Sequence, residues 1–95
     1  MVSTGETGES VGAEGLALYG YPQCPYCARV LNAIESLGLD IPLRNTMLDG
    51  GHRAAIVEAM GRSTVPVLRI DHADGKVDWL PESADIVRFL ASRFG

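Results

Sequence analysis

Two residues separate Cys24 from Cys27 in the segment Cys24-Pro25-Tyr26-Cys27, and the 95-residue chain contains no other cysteine. In a chain that alternates strand and helix patterns, this spacing is typical of thiol–disulfide exchange and not of a disulfide framework. Exchange is carried out by a thiolate, so the attacking cysteine needs a pKa below that of a free thiol. The sequence must therefore provide an environment that stabilises a negative sulfur.

A helix that begins at Pro25 would provide that environment. Proline suits the first helical position, where a missing N–H costs nothing. Cys24 would then lie at the helix N-terminus, where unpaired N–H groups and the helix dipole favour an anion. Cys27 would lie one turn further on, within reach of Cys24 but buried and less acidic. We predict Cys24 as the attacking thiol and Cys27 as the resolving thiol.

The cysteine pair has two other possible interpretations. A Cys-x-x-Cys segment can form half of a zinc site, but the second half is missing, because His52 and His72 are isolated and lie in loop-like contexts. Two inert core cysteines would be more typical of a helix interior than of a helix start beside a proline. The sequence therefore predicts no metal site.

A second notable feature is Thr64-Val65-Pro66, about forty residues after the cysteines. Proline at the head of a core strand is unusual because it cannot donate to the strand ladder. A cis Val65–Pro66 bond would account for it and would turn the Val65 backbone toward the cysteines; an ordinary trans proline at a strand start is the alternative.

The elements around these residues follow from apolar periodicity and turn residues. A helix is predicted to follow Cys24 and to stop at Gly38, and the loop Asp49-Gly50-Gly51 precedes a second helix that ends at Gly61. One face of that helix is expected to carry Arg53, Ile56, Val57 and Met60. A last helix begins at Pro81-Glu82, and its inner stripe is Ile86, Val87, Leu90 and Phe94. The predicted strands are Leu16 to Tyr19, Leu39 to Arg44 with Pro42 at an edge or irregular position, Val65 to Ile70, and Lys76 to Trp79 after the Asp74-Gly75 turn.

The order β-α-β-α-β-β-α predicts an α/β domain with a four-stranded mixed sheet, because right-handed crossovers fold the first half and a hairpin completes it. Residues 1–14 are rich in Gly, Ser, Thr and Glu and are predicted to be a flexible tail, so the domain covers residues 15–95. An apolar fraction of 46% is sufficient for one core.

Charge and hydropathy exclude several classes of function. The net charge is −4, and residues 15–95 carry nine acids and eight bases, without the clustered cations of a nucleic-acid surface. No apolar stretch is long enough for a membrane span, and the N-terminus lacks the pattern of a secretory signal. We therefore expect a cytoplasmic monomer that binds neither nucleic acid nor membrane.

Together, Cys24-Pro25-Tyr26-Cys27, Gly61-Arg62-Ser63-Thr64-Val65-Pro66 and the acidic helix start at Glu82-Ser83 resemble the dithiol glutaredoxins. The resemblance covers about residues 15–94. It implies a thioredoxin fold, a cis Pro66, a redox-active disulfide between Cys24 and Cys27, and electron transfer from glutathione as reductant and co-substrate.

The resemblance also implies a groove for glutathione. Thr64 and Val65, beside Pro66, would pair with the cysteinyl backbone, Tyr26 would line the groove, and Arg53 could hold the glycyl carboxylate. The γ-glutamyl end would bind at Glu82 and Ser83.

Two positions depart from the glutaredoxin pattern. Tyr21 stands where glutaredoxins typically have a lysine, which removes one cation near the thiol. Leu80-Pro81-Glu82-Ser83 replaces the usual Gly-Gly segment and is similar to the Glu-Ser pair of glutathione-transferase N-terminal domains.

The resemblance leaves three functions open. The leading one is an oxidoreductase that reduces disulfide-containing and glutathionylated partner proteins, with glutathione or another low-molecular-weight thiol as the reductant. The others are a [2Fe–2S]-binding glutaredoxin, which Pro25 disfavours, and a glutathione-transferase-like binding module, suggested by Leu80 to Ser83.

Overall fold

A computed structural model describes residues 11–12 and 14–95 of the chain. Within these residues the strands are β1 (Val11–Gly12), β2 (Leu16–Gly20), β3 (Leu39–Asp40), β4 (Leu43–Asn45), β5 (Val67–Asp71) and β6 (Val77–Pro81), and the helices are α1 (Pro25–Ser36), α2 (Gly50–Met60) and α3 (Ser83–Phe94). Most of the predicted tail lies outside the described residues, so its flexibility stays a prediction. Its described strand, β1, pairs in parallel with β3.

Four strands form the main sheet in the order β4-β2-β5-β6. β2 runs parallel to β4 and antiparallel to β5, and β5 and β6 form an antiparallel hairpin. The predicted α/β class, the order β-α-β-α-β-β-α and the four-stranded mixed sheet are thus confirmed. In the described part of the chain, no helix has both the length and the apolar character of a transmembrane segment.

The predicted second strand, Leu39 to Arg44, is in fact two short strands. β3 pairs with β1, whereas β4 joins the main sheet, and Ile41-Pro42 separates them. Pro42 has no N–H for a ladder, but its C=O accepts a hydrogen bond from the Leu18 N–H at 2.9 Å. The irregular position predicted for Pro42 is therefore confirmed, and the continuous strand is wrong.

Each face of the main sheet is covered by helices. One face packs against α1 and α3 in a core that includes Leu16, Leu18, Leu68, Ile70, Val30, Ile34, Ile86 and Leu90. The other face packs against α2 in a smaller core of Ala17, Tyr19, Val67 and Ile56. Because β2 contributes alternate side chains to both cores, the loop that follows it is anchored from two sides.

Helix α2 differs from its prediction at both its start and its inner face. Gly50 and Gly51 belong to the first turn and not to a loop, because the Asp49 carboxylate caps the helix by accepting the Gly51 N–H at 2.8 Å. Ile56 is the buried residue of this helix, whereas Val57 is 43% exposed. The prediction that Val57 shares the inner face is therefore wrong.

Helix α3 begins two residues later than predicted. Pro81 ends β6, and the first helical residue is Ser83, with Glu82 in the N-cap position. In the predicted inner stripe, Ile86 and Leu90 are fully buried and Val87 and Phe94 are half-buried. This stripe fixes the start of α3 beside the end of the sheet.

Candidate functional site

Cys24 occupies the N-cap position of α1. Its backbone is extended, with φ −82° and ψ 125°, and Pro25 follows in the first turn as predicted. The Cys24 N–H donates to the Tyr21 C=O at 3.2 Å, and the Cys24 C=O accepts the Ala28 N–H at 2.8 Å. These bonds hold the cysteine at the point where the loop after β2 becomes helix.

The environment of the Cys24 thiol favours the thiolate. Burial raises its pKa, but hydrogen bonds from the Cys27 N–H, the Cys27 thiol and the Tyr26 N–H outweigh burial, so the pKa lies below its ordinary value. The two N–H groups belong to the first turn of α1, whose donors have no partner within the helix. The helix start therefore stabilises an anionic sulfur, as thiol exchange requires.

The Cys27 thiol has the opposite character. It is fully buried, and burial together with the neighbouring Cys24 sulfur raises its pKa to about 11, although the Tyr21 N–H donates to it. Both cysteines are free thiols in this structure. The pair thus combines one acidic thiol and one protonated thiol joined by a hydrogen bond.

Gly20, the last residue of β2, leaves the space that Cys27 occupies. A Cβ atom at this position would lie 2.6 Å from Cys27 Sγ and 3.8 Å from the Pro66 Cα. The chain pattern carries no signal of this close approach, because it joins three separate segments.

The Val65–Pro66 peptide bond is cis, which confirms the prediction. Pro66 is buried, and Thr64 and Val65 are half-buried ahead of β5. Among the described residues, no backbone group pairs with the N–H or C=O of Val65. These two groups are therefore available to an extended ligand.

Two cavities meet at Thr64 and Val65. One, of about 290 Å³, is lined on its far side by Arg53 and Ser63. The other, of about 380 Å³, is lined by Tyr26, Pro66, Glu82 and Ser83, with Arg29 and Ala84. All seven residues predicted to contact glutathione thus line these two cavities, which we call together the groove.

Charged residues line both cavities of the groove. Arg53 Nε donates to Ser63 Oγ at 3.3 Å in one cavity. Glu82 is exposed in the other cavity, with the unusual backbone angles φ 75° and ψ 116°, and Ser83 is 7% exposed. A ligand with charged groups at both ends and a peptide-like middle matches this arrangement.

Part of the groove wall was not predicted from the sequence. Tyr21, Thr46 and Met47 line the cavity beside Arg53. The Asn45 side chain accepts the N–H groups of Met47 and Leu48, which shapes this loop after β4. An Asn before a loop is a recognisable turn signal, but the contact between this loop and Thr64 depends on the tertiary fold.

In the described residues, no three side chains of the metal-ligating types come together in a group that could hold a metal ion. The predicted functional residues instead supply a reactive thiol at a helix start, a cis proline, and a groove with Arg53 in one cavity and Glu82 in the other.

This arrangement defines a thioredoxin-like domain of the kind found at the N-terminus of glutathione transferases. Residues 18–95 match the family model of the glutathione S-transferase N-terminal domain, and the chain belongs to that family. This family is broader than the dithiol glutaredoxin group that the sequence resembles. A comparison with curated proteins found no match.

Several solved structures are similar to the chain. One is a delta-class glutathione transferase from Nilaparvata lugens, with 30% identity and a TM-score of 0.64; the match covers 84% of this chain and 36% of that one. Another is a Bombyx mori glutathione transferase, with 25% identity and a TM-score of 0.68; the match covers 87% of this chain and 37% of that one. A third is a maleylacetoacetate isomerase from Anaeromyxobacter dehalogenans with dicarboxyethyl glutathione and citrate in its active site (28%, 0.62, 83% and 36%). The chain spans little more than a third of these proteins.

The two thiols are expected to differ in their reaction with iodoacetamide. At about pH 7, where a free cysteine is mostly protonated, reduced protein should be alkylated at Cys24 and not at Cys27. The Cys24 rate should rise with pH and level off earlier than that of a free cysteine, because its thiolate forms at lower pH. Mass spectrometry of quenched samples measures alkylation at both cysteines. The control is Cys27→Ser, in which Cys24 is the one cysteine left to react. Equal alkylation of both thiols would contradict the assigned asymmetry.

Proposed function

We propose that the domain is a glutathione-dependent thiol–disulfide oxidoreductase that reduces glutathione mixed disulfides and protein disulfides. The observation that carries this proposal is the placement of Cys24 at the N-cap of α1 with Cys27 fully buried in its first turn, which shifts the pKa values of the two thiols in opposite directions. A transferase that only binds glutathione has no need of a second, protonated thiol behind the first. An exchange enzyme uses one thiol to attack and the other to resolve.

The proposed reduction of a protein–glutathione mixed disulfide has two steps. The Cys24 thiolate attacks the glutathionyl sulfur of a protein–glutathione disulfide, and the partner's sulfur leaves with the electron pair of the broken S–S bond and takes up a proton. The thiolate of a second glutathione then attacks the sulfur bound to Cys24. Oxidised glutathione forms, and the Cys24 thiolate is restored.

The reduction of a protein disulfide has a different second step. After Cys24 attacks and releases one protein thiolate, Cys27 gives up its proton and attacks Cys24 Sγ, which releases the second. The product is a Cys24–Cys27 disulfide, which two glutathione molecules reduce. Cys27 lies in the first turn of α1 after Cys24, and each thiol shifts the pKa of the other, so the two are neighbours for this step.

The groove supports glutathione as the reductant. The free backbone groups of Val65 suit the cysteinyl residue, with Thr64, Pro66 and Tyr26 around it. Arg53 suits the glycyl carboxylate, and Glu82 with Ser83 suits the γ-glutamyl end, which carries an amino group and a carboxylate. A similar isomerase holds a glutathione derivative in its active site. We place the reaction in the cytoplasm, with glutathionylated or disulfide-containing proteins as partners.

Glutathione conjugation is the second candidate. It is favoured by the family match and by the Glu82-Ser83 pair at the start of α3. In that case Cys24 would activate the glutathione thiol without changing its own oxidation state. No disulfide would form on the enzyme.

Coupled assays separate the two candidates. We expect the full chain to turn over a glutathione–cysteine mixed disulfide when glutathione reductase and NADPH regenerate glutathione, and to show far lower turnover with thioredoxin reductase alone. A parallel assay with 1-chloro-2,4-dinitrobenzene measures conjugation. Conjugation without mixed-disulfide reduction would contradict the oxidoreductase proposal and support the transferase.

A further inference from the structure

A row of alternating arginine and aromatic side chains crosses the α2 face of the main sheet. Arg44 of β4, Tyr19 of β2, Arg69 of β5 and Trp79 of β6 follow the order of the strands. Arg44 Cζ lies 5.4 Å from the Tyr19 ring centroid, and Arg69 Cζ lies 5.4 Å from that of Trp79. The two rings are 5.2 Å apart, edge to face. Neither arginine lines the groove.

The Tyr19 hydroxyl is the centre of this row. The residue is 2% exposed, and its hydroxyl oxygen accepts a hydrogen bond from Arg44 at 2.6 Å. The Arg69 guanidinium lies near the same hydroxyl, and its pKa is raised first by Asp71 and then by Tyr19. A tyrosine oxygen can accept two such bonds and also donates one. Among the described residues, nothing accepts the proton of this buried hydroxyl.

The charge around this hydroxyl is unbalanced. Arg69 is paired with Asp71 at 3.0 Å, whereas no carboxylate among the described residues pairs with Arg44. The two guanidiniums and one carboxylate leave one positive charge. Arg44 and Arg69 are both half-buried, so each keeps part of its surface in contact with solvent.

We propose that Arg44, Arg69 and Tyr19 form a binding site for a carboxylate, on the α2 face of the sheet and separate from the groove. The guanidiniums supply charge-assisted donors, and the Tyr19 hydroxyl supplies a neutral one. A single carboxylate balances the local charge and gives the Tyr19 proton an acceptor. A phosphate dianion would leave one excess negative charge.

Side-chain NMR of the full chain tests this site, with acetate as the probe. We expect saturable shifts of the Arg44 and Arg69 Nε–H signals and of the Trp79 indole signal in sodium acetate, and none in sodium chloride of equal ionic strength. Arg44→Gln should weaken acetate binding by about tenfold or more, because a charge-assisted hydrogen bond is lost. Tyr19→Phe, which keeps the buried ring, should weaken it by about fivefold.

Arg88→Gln is the matched control, because Arg88 pairs with Asp85 on exposed α3. It should bind acetate like the parent chain. Shifts that grow equally in chloride, or binding that survives both Arg44→Gln and Tyr19→Phe, would overturn the proposal. A tighter response to phosphate than to acetate would overturn the choice of carboxylate. Should Arg44→Gln fail to fold, the Tyr19→Phe result decides.

Discussion

Replacing Cys24 by serine is expected to lower mixed-disulfide turnover by at least about a thousandfold, because a hydroxyl cannot replace the thiolate nucleophile. Cys27→Ser should keep most of this activity. The attack and the release by glutathione both occur at Cys24, and a serine hydroxyl at position 27 can still donate a hydrogen bond to the Cys24 sulfur. The measurement is turnover of a glutathione–cysteine mixed disulfide with glutathione reductase.

A protein disulfide substrate provides the internal control for this pair of variants. There Cys27→Ser should be strongly impaired, since it cannot close the Cys24–Cys27 bridge, although it remains active on the mixed disulfide. Circular dichroism of both variants checks that each is folded. An active Cys24→Ser protein together with an inactive Cys27→Ser protein would reverse the assigned roles.

Replacing Gly20 by alanine is expected to destabilise the reduced protein by about 1–3 kcal/mol, the usual cost of overpacking a core. The added Cβ would lie 2.6 Å from Cys27 Sγ, and Cys27, in the first turn of α1, is fully buried. The thiol must therefore rotate or the helix start must shift. Either change removes the hydrogen bond from Cys27 to Cys24 and should also raise the pKa of the Cys24 thiol. Urea unfolding of the reduced protein gives the free energy of unfolding.

A double-mutant cycle assigns this effect to the sulfur atom. In a Cys27→Ala background the clashing atom is absent, and the other neighbours, including the Pro66 Cα at 3.8 Å, are at ordinary contact distance. Gly20→Ala should then cost little stability. Gly50→Ala is the matched control, because nothing lies within 4 Å of its added Cβ. An equal loss of stability with and without the Cys27 sulfur would contradict the packing argument.

The sequence was sufficient for the features that depend on local chemistry. Pro25 in the first turn places Cys24 at the helix start, and the proline ahead of β5 is cis as the family resemblance implied. The alternation of apolar residues and turn signals also predicted the order of strands and helices. In these cases the residues that determine the structure are neighbours in the chain.

Other features depend on contacts between distant segments and carry no local signal. The space left by Gly20 exists only because β2, α1 and the Pro66 segment meet there. Val57 is exposed because the sheet does not approach its side of α2. The apolar character of Val57 alone did not predict this exposure. Likewise, Arg53 and Thr64 line the same cavity because of the position of α2. The periodicity of apolar residues along the chain does not determine that position.

Glu82 places a charged side chain beside the groove, in a backbone conformation that is unfavourable for a residue other than glycine. A non-glycine residue with φ 75° and ψ 116° occupies a sparsely populated conformation, at a cost of about 1–3 kcal/mol. Glycine would adopt the same angles without a steric penalty, but it would bring no carboxylate. The native state is thus less stable than this backbone would allow, and the deficit is located beside the ligand cavity and not in the core.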